Sequence, residues 1–377
     1  MKAGRRFRVE LTGAQEGLAQ QTADACRAVW NTGLEQRREY HRRGARISYE
    51  EQAHELVEAK TEHSWLAEVP SHCLQQTLRD QDEACRKHGT FRVRWRSARR
   101  WTPSFRFPEG SQMEVEKLNR RKSRVKLPKL GWVTFRASRS LDGENIRSAT
   151  LTREGKHWFV SFLVDDGRTT PEEHARPGTA VGVDRGVAVA VATSAGDLYD
   201  RNFTTLGEQR RAVRLQRKLS RAAKGSANRT KTRQALAEVR ARERRRRQDF
   251  CRKTARQLAR DNAVVVLEKL PVRSMTRRAK PVADPAQPGQ LSKGWYRFEV
   301  ALKSAARYSG TQVAKVPAAF TSQRCSACGH VDPKSRESQA VFRCTHCLRP
   351  AEHADVNAAK NILAAGLLAV TACGDDP

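Results

Sequence analysis

No apolar run in these 377 residues approaches the length of a bilayer-spanning helix. The longest, "VAVAVA" and "AVVVL", fall far short, which argues against an integral membrane protein. The opening "MKAGRRFRVELTG" lacks an apolar core of signal-peptide length and is expected to begin a first strand. Acidic residues are scarce: 41 Asp and Glu stand against 72 Lys and Arg, giving a net charge of +31. Such a charge opposes a compact state unless a polyanion neutralises it, and nucleic acid is the obvious polyanion. Hydrophobic residues make up 38% of the chain, low for one compact globule, so two or three domains are expected. A disulfide framework is missing as well. Of nine cysteines, Cys26, Cys73, Cys85, Cys251 and Cys373 are scattered, which suits a reducing cytoplasm. There is no internal repeat.

The pattern along the chain divides it. "RFRVEL" alternates as a strand. From about Ala14 to Lys87 apolar residues recur every three or four positions, predicting three helices, with Ser48 and Ser71 as candidate N-caps. The period then drops to two. "FRVRWR", "SFRF", "MEVEKL", "SRVKLP", "WVTFRA", "RSATLTR" and "HWFVSFLVDD" read as short strands of a small barrel or sandwich with a helical insertion. "TTPEEHARPG" reads as a linker. Beyond it, "AVGVDRGVAVAVATSAG" predicts two apolar strands joined by a tight Asp-Arg-Gly turn, with "DLYDR" as a third. Two basic helices follow at about 204–224 and 228–262, where 20 Lys and Arg oppose 5 Asp and Glu, a net +15. Next come the buried-type strand "AVVVLEKL", a Pro- and Gly-rich segment "RSMTRRAKPVADPAQPGQLSKG" expected to be a mobile loop, the helix "WYRFEVALKSAARYSG" and the strand "TQVAKVPA".

Cys325 and Cys328 form one Cys-x-x-Cys pair, and Cys344 and Cys347 another, with fifteen residues between. Two such knuckles supply four thiolates to one structural Zn²⁺. His330, His346 and His353 lie nearby, but four thiolates already fill a tetrahedron.

Three acids stand out. Asp184 ends "AVGV", where an ordinary turn would also explain it. Glu268 ends a buried-type strand, where a carboxylate is costly without a partner. Asp355 heads the helix "DVNAAKNILAAGLL", where N-capping is the plain alternative. Together, in a chain built for nucleic acid, three converging carboxylates could bind two hard cations, Mg²⁺ or Mn²⁺, as in in-line phosphodiester hydrolysis.

These residues, in this order, resemble the TnpB family of compact RNA-guided nucleases encoded by insertion sequences and related to the type V CRISPR effectors. "VKLPKLGWVTFRASRSLDGENIRSATLTREGKHWFVSF" is similar to the family's wedge region. "GVDRGVAVAVATSAG", "VVVLEKL" and "ADVNAAKNIL" resemble its three RuvC motifs, and "FTSQRCSACG" the start of its zinc ribbon. The resemblance implies an α+β multidomain fold. A β-barrel-like wedge domain (1–13 and 89–170) would carry a helical recognition insertion (14–88). A linker (171–178) would lead to an RNase H-like RuvC domain (179–320 and 350–377) interrupted by a zinc ribbon (321–349). It implies Asp184, Glu268 and Asp355 as a catalytic triad holding two Mg²⁺. It also implies a guide RNA and a double-stranded target DNA as partners of a monomer in the bacterial cytoplasm, at the nucleoid. Two departures, Arg185 after Asp184 and His353-Ala354 before Asp355, are expected to alter substrate contacts beside the triad.

The nucleic acid is expected to meet Arg92, Arg94, Arg96, Arg99 and Arg100, interleaved with Phe91, Trp95 and Phe107, and the run Arg244, Arg245, Arg246 and Arg247. An RNA-guided DNA endonuclease of a transposable element is the leading reading. The alternatives are a small type V CRISPR effector, a DNA-only transposase or resolvase, and an RNA-guided repressor. Loss of an acid would mark the repressor, and all three acids are present.

Overall fold

In the computed structural model, residues 1–98, 101–186, 189–271, 293–347 and 349–372 are described. The chain forms two compact units, Met1–Arg168 and Thr169–Pro377.

In the first unit β1 (Lys2–Glu10) leads into α1 (Gly13–Arg42), α2 (Tyr49–Glu62), the single turn α3 (Ser64–Ala67) and α4 (Ser71–His88). Thr12 with Gln15, and Ser48 with Glu51, close reciprocal capping boxes at the starts of α1 and α2. Ser71 is not a cap: it is the first residue of α4, and its hydroxyl accepts from the Lys60 ammonium. Then follow β2 (Ser104–Phe107), β3 (Glu114–Lys117), β4 (Lys122–Leu127), β5 (Gly131–Arg136), β6 (Asn145–Glu154) and β7 (His157–Asp165). They form one antiparallel sheet in the order β2-β6-β7-β1-β5-β4-β3. The expected barrel is an open sheet. β1 pairs with β7 through residues 2–8 and with β5 only at Val9 and Glu10, and β2 and β3 remain edges. Helices cover the apolar face instead. Ala23 and Cys26 of α1 and Leu74 and Leu78 of α4 share a core with Phe7, Phe105, Phe107, Phe135, Leu151 and Phe162.

Residues 91–96, predicted as a strand, are irregular. Side chains of α1 take their backbone groups. The Trp30 indole donates to the Arg94 carbonyl (3.1 Å), Asn31 exchanges two hydrogen bonds with Arg96 (2.9 and 3.2 Å), and Arg38 donates to the Val93 carbonyl (2.9 Å). With these groups satisfied locally, no strand partner is needed.

The second unit is built on a five-stranded sheet. β8 (Ala180–Asp184), β9 (Val191–Thr193) and β10 (Leu198–Tyr199) precede the helices α5 (Leu206–Arg221) and α6 (Ala227–Asp261). β11 (Val264–Glu268), α7 (Trp295–Ser309) and β12 (Gln312–Val316) follow. The strand order is β10-β9-β8-β11-β12, with β8, β11 and β12 parallel and β9 and β10 antiparallel. Six residues, 185–190, link β8 to β9, longer than the expected tight turn. The expected mobile loop at 273–294 lies almost wholly outside the described residues. The linker-like stretch belongs to this unit: buried His174 bonds through Nε2 to the Ala259 carbonyl of α6 (2.9 Å).

The short strands β13 (Val341–Phe342) and β14 (Glu352–His353) then pair and run into α8 (Ala354–Ala372). Alternation along the strands assigns the two faces. Val181, Val183, Val265 and Leu267 pack with α6 and α7, while Val266 and Val316 pack with Ile362 of α8. Gly182 permits the second contact, since a Cβ there would stand 2.1 Å from the Ala359 carbonyl oxygen. No helix among the described residues is long and apolar enough to cross a membrane.

Candidate active site and metal centre

Asp184 and Glu268 are the last residues of two neighbouring parallel strands, in register because Leu267 pairs with Val183. Both share the parity of Gly182 and Val266, so both side chains emerge on the face covered by α8. Asp355 arrives from the first turn of α8. All three are buried, with 9%, 7% and 3% of their surfaces exposed. Burial raises Asp184 to a pKa of about 7, with the charges of Glu268 and Asp355 adding to the shift and that of Arg336 opposing it. Burial also raises Glu268, against a hydrogen bond from the Thr321 hydroxyl. A cation among such crowded, desolvated carboxylates would favour their charged form.

The N-cap reading of Asp355 fails. It sits inside the helix, where its Oδ1 accepts from Arg336 Nη2 at 3.0 Å, and its buried Oδ2 has no hydrogen-bond partner among the described residues. Gly186 leaves room for that oxygen, which would stand 2.9 Å from a Cβ at position 186. A buried, unpartnered carboxylate oxygen beside two more acids fits a divalent oxygen-seeking cation such as Mg²⁺.

Arg185 and His353, from the two departures from the family pattern, both make contacts within the chain. Arg185 is 3% exposed and turns to the α7 face, where it donates to the Glu268 carbonyl and pairs with Glu299 (3.5 Å). It braces the end of β11. Nδ1 of His353 accepts the Asp355 backbone N–H (3.2 Å) and so caps α8.

Four thiolates gather beside the acids. Cys325 Sγ lies 3.7 Å from Cys347 Sγ, Cys328 Sγ lies 3.6 Å from Cys344 Sγ, and all four are within 4.8 Å of one another. A ZnS₄ tetrahedron with Zn–S near 2.3 Å has edges of roughly 3.8 Å, so the cluster fits a structural zinc site. Backbone N–H groups of His346 and Cys347 donate to Cys344 Sγ, and they help hold its pKa down to about 6. His330 and His346 stack on each other at 5.0 Å and are not in the cluster. Among the described residues no other group of three His, Cys, Asp or Glu is gathered so closely, the three acids included.

The arginines divide. Arg92, Arg94, Arg244 and Arg245 are exposed. Arg96 lies over the Trp30 ring at 3.8 Å and the Trp101 ring at 5.5 Å, and burial lowers its pKa to about 10. Arg246 makes a forked pair with Glu208 at the start of α5, and Arg247 pairs with Glu243. These three are engaged within the chain. Arg99 and Arg100 lie outside the described residues. Phe107 is core, whereas Phe91 and Trp95 stay exposed beside Arg38. Sequence reasoning missed Arg336 and Thr321, since one more arginine and one more threonine in a basic chain carry no signal.

Comparison with known proteins identifies the family. A putative RNA-guided DNA endonuclease InsQ of Escherichia coli K12 is 35% identical, over 98% of this chain and 93% of its own. A putative RNA-guided DNA endonuclease of Streptomyces pristinaespiralis is 32% identical, over 100% of this chain and 92% of its own. The chain belongs to the TnpB family. Three TnpB-like proteins of Acanthamoeba polyphaga mimivirus match a shorter stretch, 27% of this chain at 34% identity. Family models match residues 161–279 (probable transposase), 295–362 (Cas12f1-like, TNB domain) and 1–46 (helix-turn-helix domain). Here residues 1–46 form β1 and α1, a strand and one long helix. The fold is similar to that of Cas12f1 in a complex with sgRNA and target DNA, with a TM-score of 0.58 over 96% of this chain and 98% of that one, at 13% identity.

Proposed function

We propose that this TnpB chain is an RNA-guided endonuclease of a transposable element. It cuts double-stranded DNA beside a short target-adjacent motif, by two-metal hydrolysis at one RuvC site in an RNase H-like domain. The observation that carries the reading is that Asp184, Glu268 and Asp355, from two strand ends and the first turn of α8, are buried on the same side of the sheet, with a carboxylate oxygen left unpartnered among the described residues. The three acids would hold two Mg²⁺ or Mn²⁺, which supply an activated water and stabilise the leaving oxygen. Arg336 fixes Oδ1 of Asp355 and leaves Oδ2 facing inward, and Thr321 fixes one oxygen of Glu268. The parallel order β8-β11-β12 with antiparallel β9 and β10 supports the RNase H-like assignment.

The guide RNA and the target would meet the exposed arginines of the first unit and of α6, with Phe91 and Trp95 as stacking surfaces. Base pairing would choose the target, and the protein would read shape and the short motif. Intact acids argue against a repressor.

The test is cleavage of a plasmid library by the protein–RNA complex, with its own guide and with a reprogrammed one. Cuts should follow the guide. Asp184→Ala, Glu268→Ala or Asp355→Ala should each abolish cutting while guide and target binding persist. Cutting that ignores the guide would favour a DNA-only transposase or resolvase.

A further inference from the structure

The side chain of Asn357 grips the backbone on both sides of a zinc ligand. It is fully buried and sits two residues after Asp355 in α8. Its Nδ2 donates to the Arg324 carbonyl (2.8 Å), and its Oδ1 accepts the Ser326 N–H (2.9 Å). Cys325 lies between those two groups. Asn361, one turn on, donates to the same Arg324 carbonyl (2.7 Å) and to the Thr321 carbonyl (3.0 Å).

Other contacts tie the same two parts. Ala354, the residue before Asp355, packs in a small core with Cys325 and Phe342. Its N–H donates to the Ala340 carbonyl (2.9 Å), and β14 pairs with β13 immediately before α8 begins. The ribbon also reaches two of the acids, through Thr321 to Glu268 and Arg336 to Asp355. Buried amides give up their partners at high cost, so the knuckle and the first turn of α8 are held as one piece.

We infer that Asn357 is a positioning residue that couples the two metal centres: the zinc-bound knuckle, clasped by its amide, sets the placement of Asp355 and hence the affinity of the carboxylate site for its divalent cation. The inference rests on the two-metal reading above. With zinc in place, Cys325 is fixed and the clasp fixes the turn that carries Asp355. Without the clasp the ribbon can hold zinc, but Asp355 is no longer aligned with Asp184 and Glu268. Groups that orient metal ligands from behind commonly contribute 10–100-fold to metal affinity.

The experiment measures Mn²⁺ binding by electron paramagnetic resonance on the full chain with its RNA, together with zinc content. Asp355→Ala identifies the carboxylate-dependent part of the isotherm. Asn357→Leu, of similar volume, should retain one zinc per chain and bind guide and target normally. Its carboxylate-dependent Mn²⁺ affinity should fall about tenfold or more, with a matching rise in the Mn²⁺ concentration that gives half-maximal cleavage. An unchanged Mn²⁺ isotherm in Asn357→Leu would overturn the inference. Should that variant fail to fold, wild-type protein decides. Stripping zinc with a soft chelator that spares Mn²⁺ should weaken the same Mn²⁺ site, and added Zn²⁺ should restore it. Indifference to zinc would likewise refute the coupling. If wild type and Asp355→Ala bind Mn²⁺ identically, the two-metal reading itself fails, and this inference falls with it.

Discussion

A single hydrogen atom at position 182 decides whether α8 can lie on the sheet. Any larger side chain would meet the Ala359 carbonyl at 2.1 Å and the Leu363 backbone nitrogen at 2.6 Å, both rigid parts of the helix. The same contact brings Asp355 onto the face where Asp184 and Glu268 emerge, so packing and chemistry depend on one residue. Gly182→Val is expected to destabilise the second unit by about 3 kcal/mol, the upper range for overpacking a tight core. Cleavage should fall with it. Denaturant unfolding checks the first effect, and a wild-type midpoint would show that α8 can move aside. Arg185 shows how far a residue's role can lie from its neighbourhood in sequence: it follows Asp184, yet it points to the opposite face and pairs with Glu299.

At the scale of elements, α5 and α6 carry much of the chain's positive charge, yet an acid fixes the start of α5. Glu208 closes the capping box at Thr205 and receives the fork of Arg246. Arg246 and the Thr205 backbone hold its pKa down to about 2. A carboxylate whose folded pKa is depressed stabilises the fold above its unfolded value, near 4.5, and loses that contribution as pH falls towards 2. Glu208→Gln should therefore lower the melting temperature at pH 7 and pH 5. The gap between variant and wild type should narrow as pH drops from 4.5 to 3. Melting curves at a series of pH values check this, and a gap that stays constant with pH would remove the ion pair as its cause. The β2–β7 sheet makes a related point. Its strands alternate as the sequence predicts, but residues 91–96 alternate equally well and form no strand, because Trp30, Asn31 and Arg38 of α1 occupy their backbone groups.

For the whole molecule, charge and zinc set the behaviour expected in solution. A net charge of +31 makes binding to any polyanion steeply salt-dependent, because each neutralised phosphate releases condensed counterions. Guided target recognition should appear as a second component that needs complementarity and survives at salt concentrations that abolish the first. One zinc per chain is expected by metal analysis. Cys344→Ser should lower that stoichiometry and destabilise the second unit, since structural zinc contributes folding energy outright. A zinc-free preparation with an unchanged melting curve would contradict the structural role.

The four clustered cysteines, the three acids and, apart from the β13–β14 pair, the strand-and-helix order of the second unit were legible in the sequence. Cys-x-x-Cys spacing, an acid closing an apolar run and a period of two or 3.6 are local signals, written within a few consecutive residues. That Asp184 and Glu268 emerge on one face came from the pairing of Leu267 with Val183, not from either strand alone. Tertiary structure decided what spans the chain: which face α8 covers, that Arg336 and Thr321 reach the acids, that Asn357 clasps Cys325, and which arginines are engaged internally. It also left the first sheet open, since helices covered the face that a barrel would have enclosed. Periodicity fixes which way a side chain points within its own element, whereas its partner depends on how distant elements pack, and no local pattern encodes that.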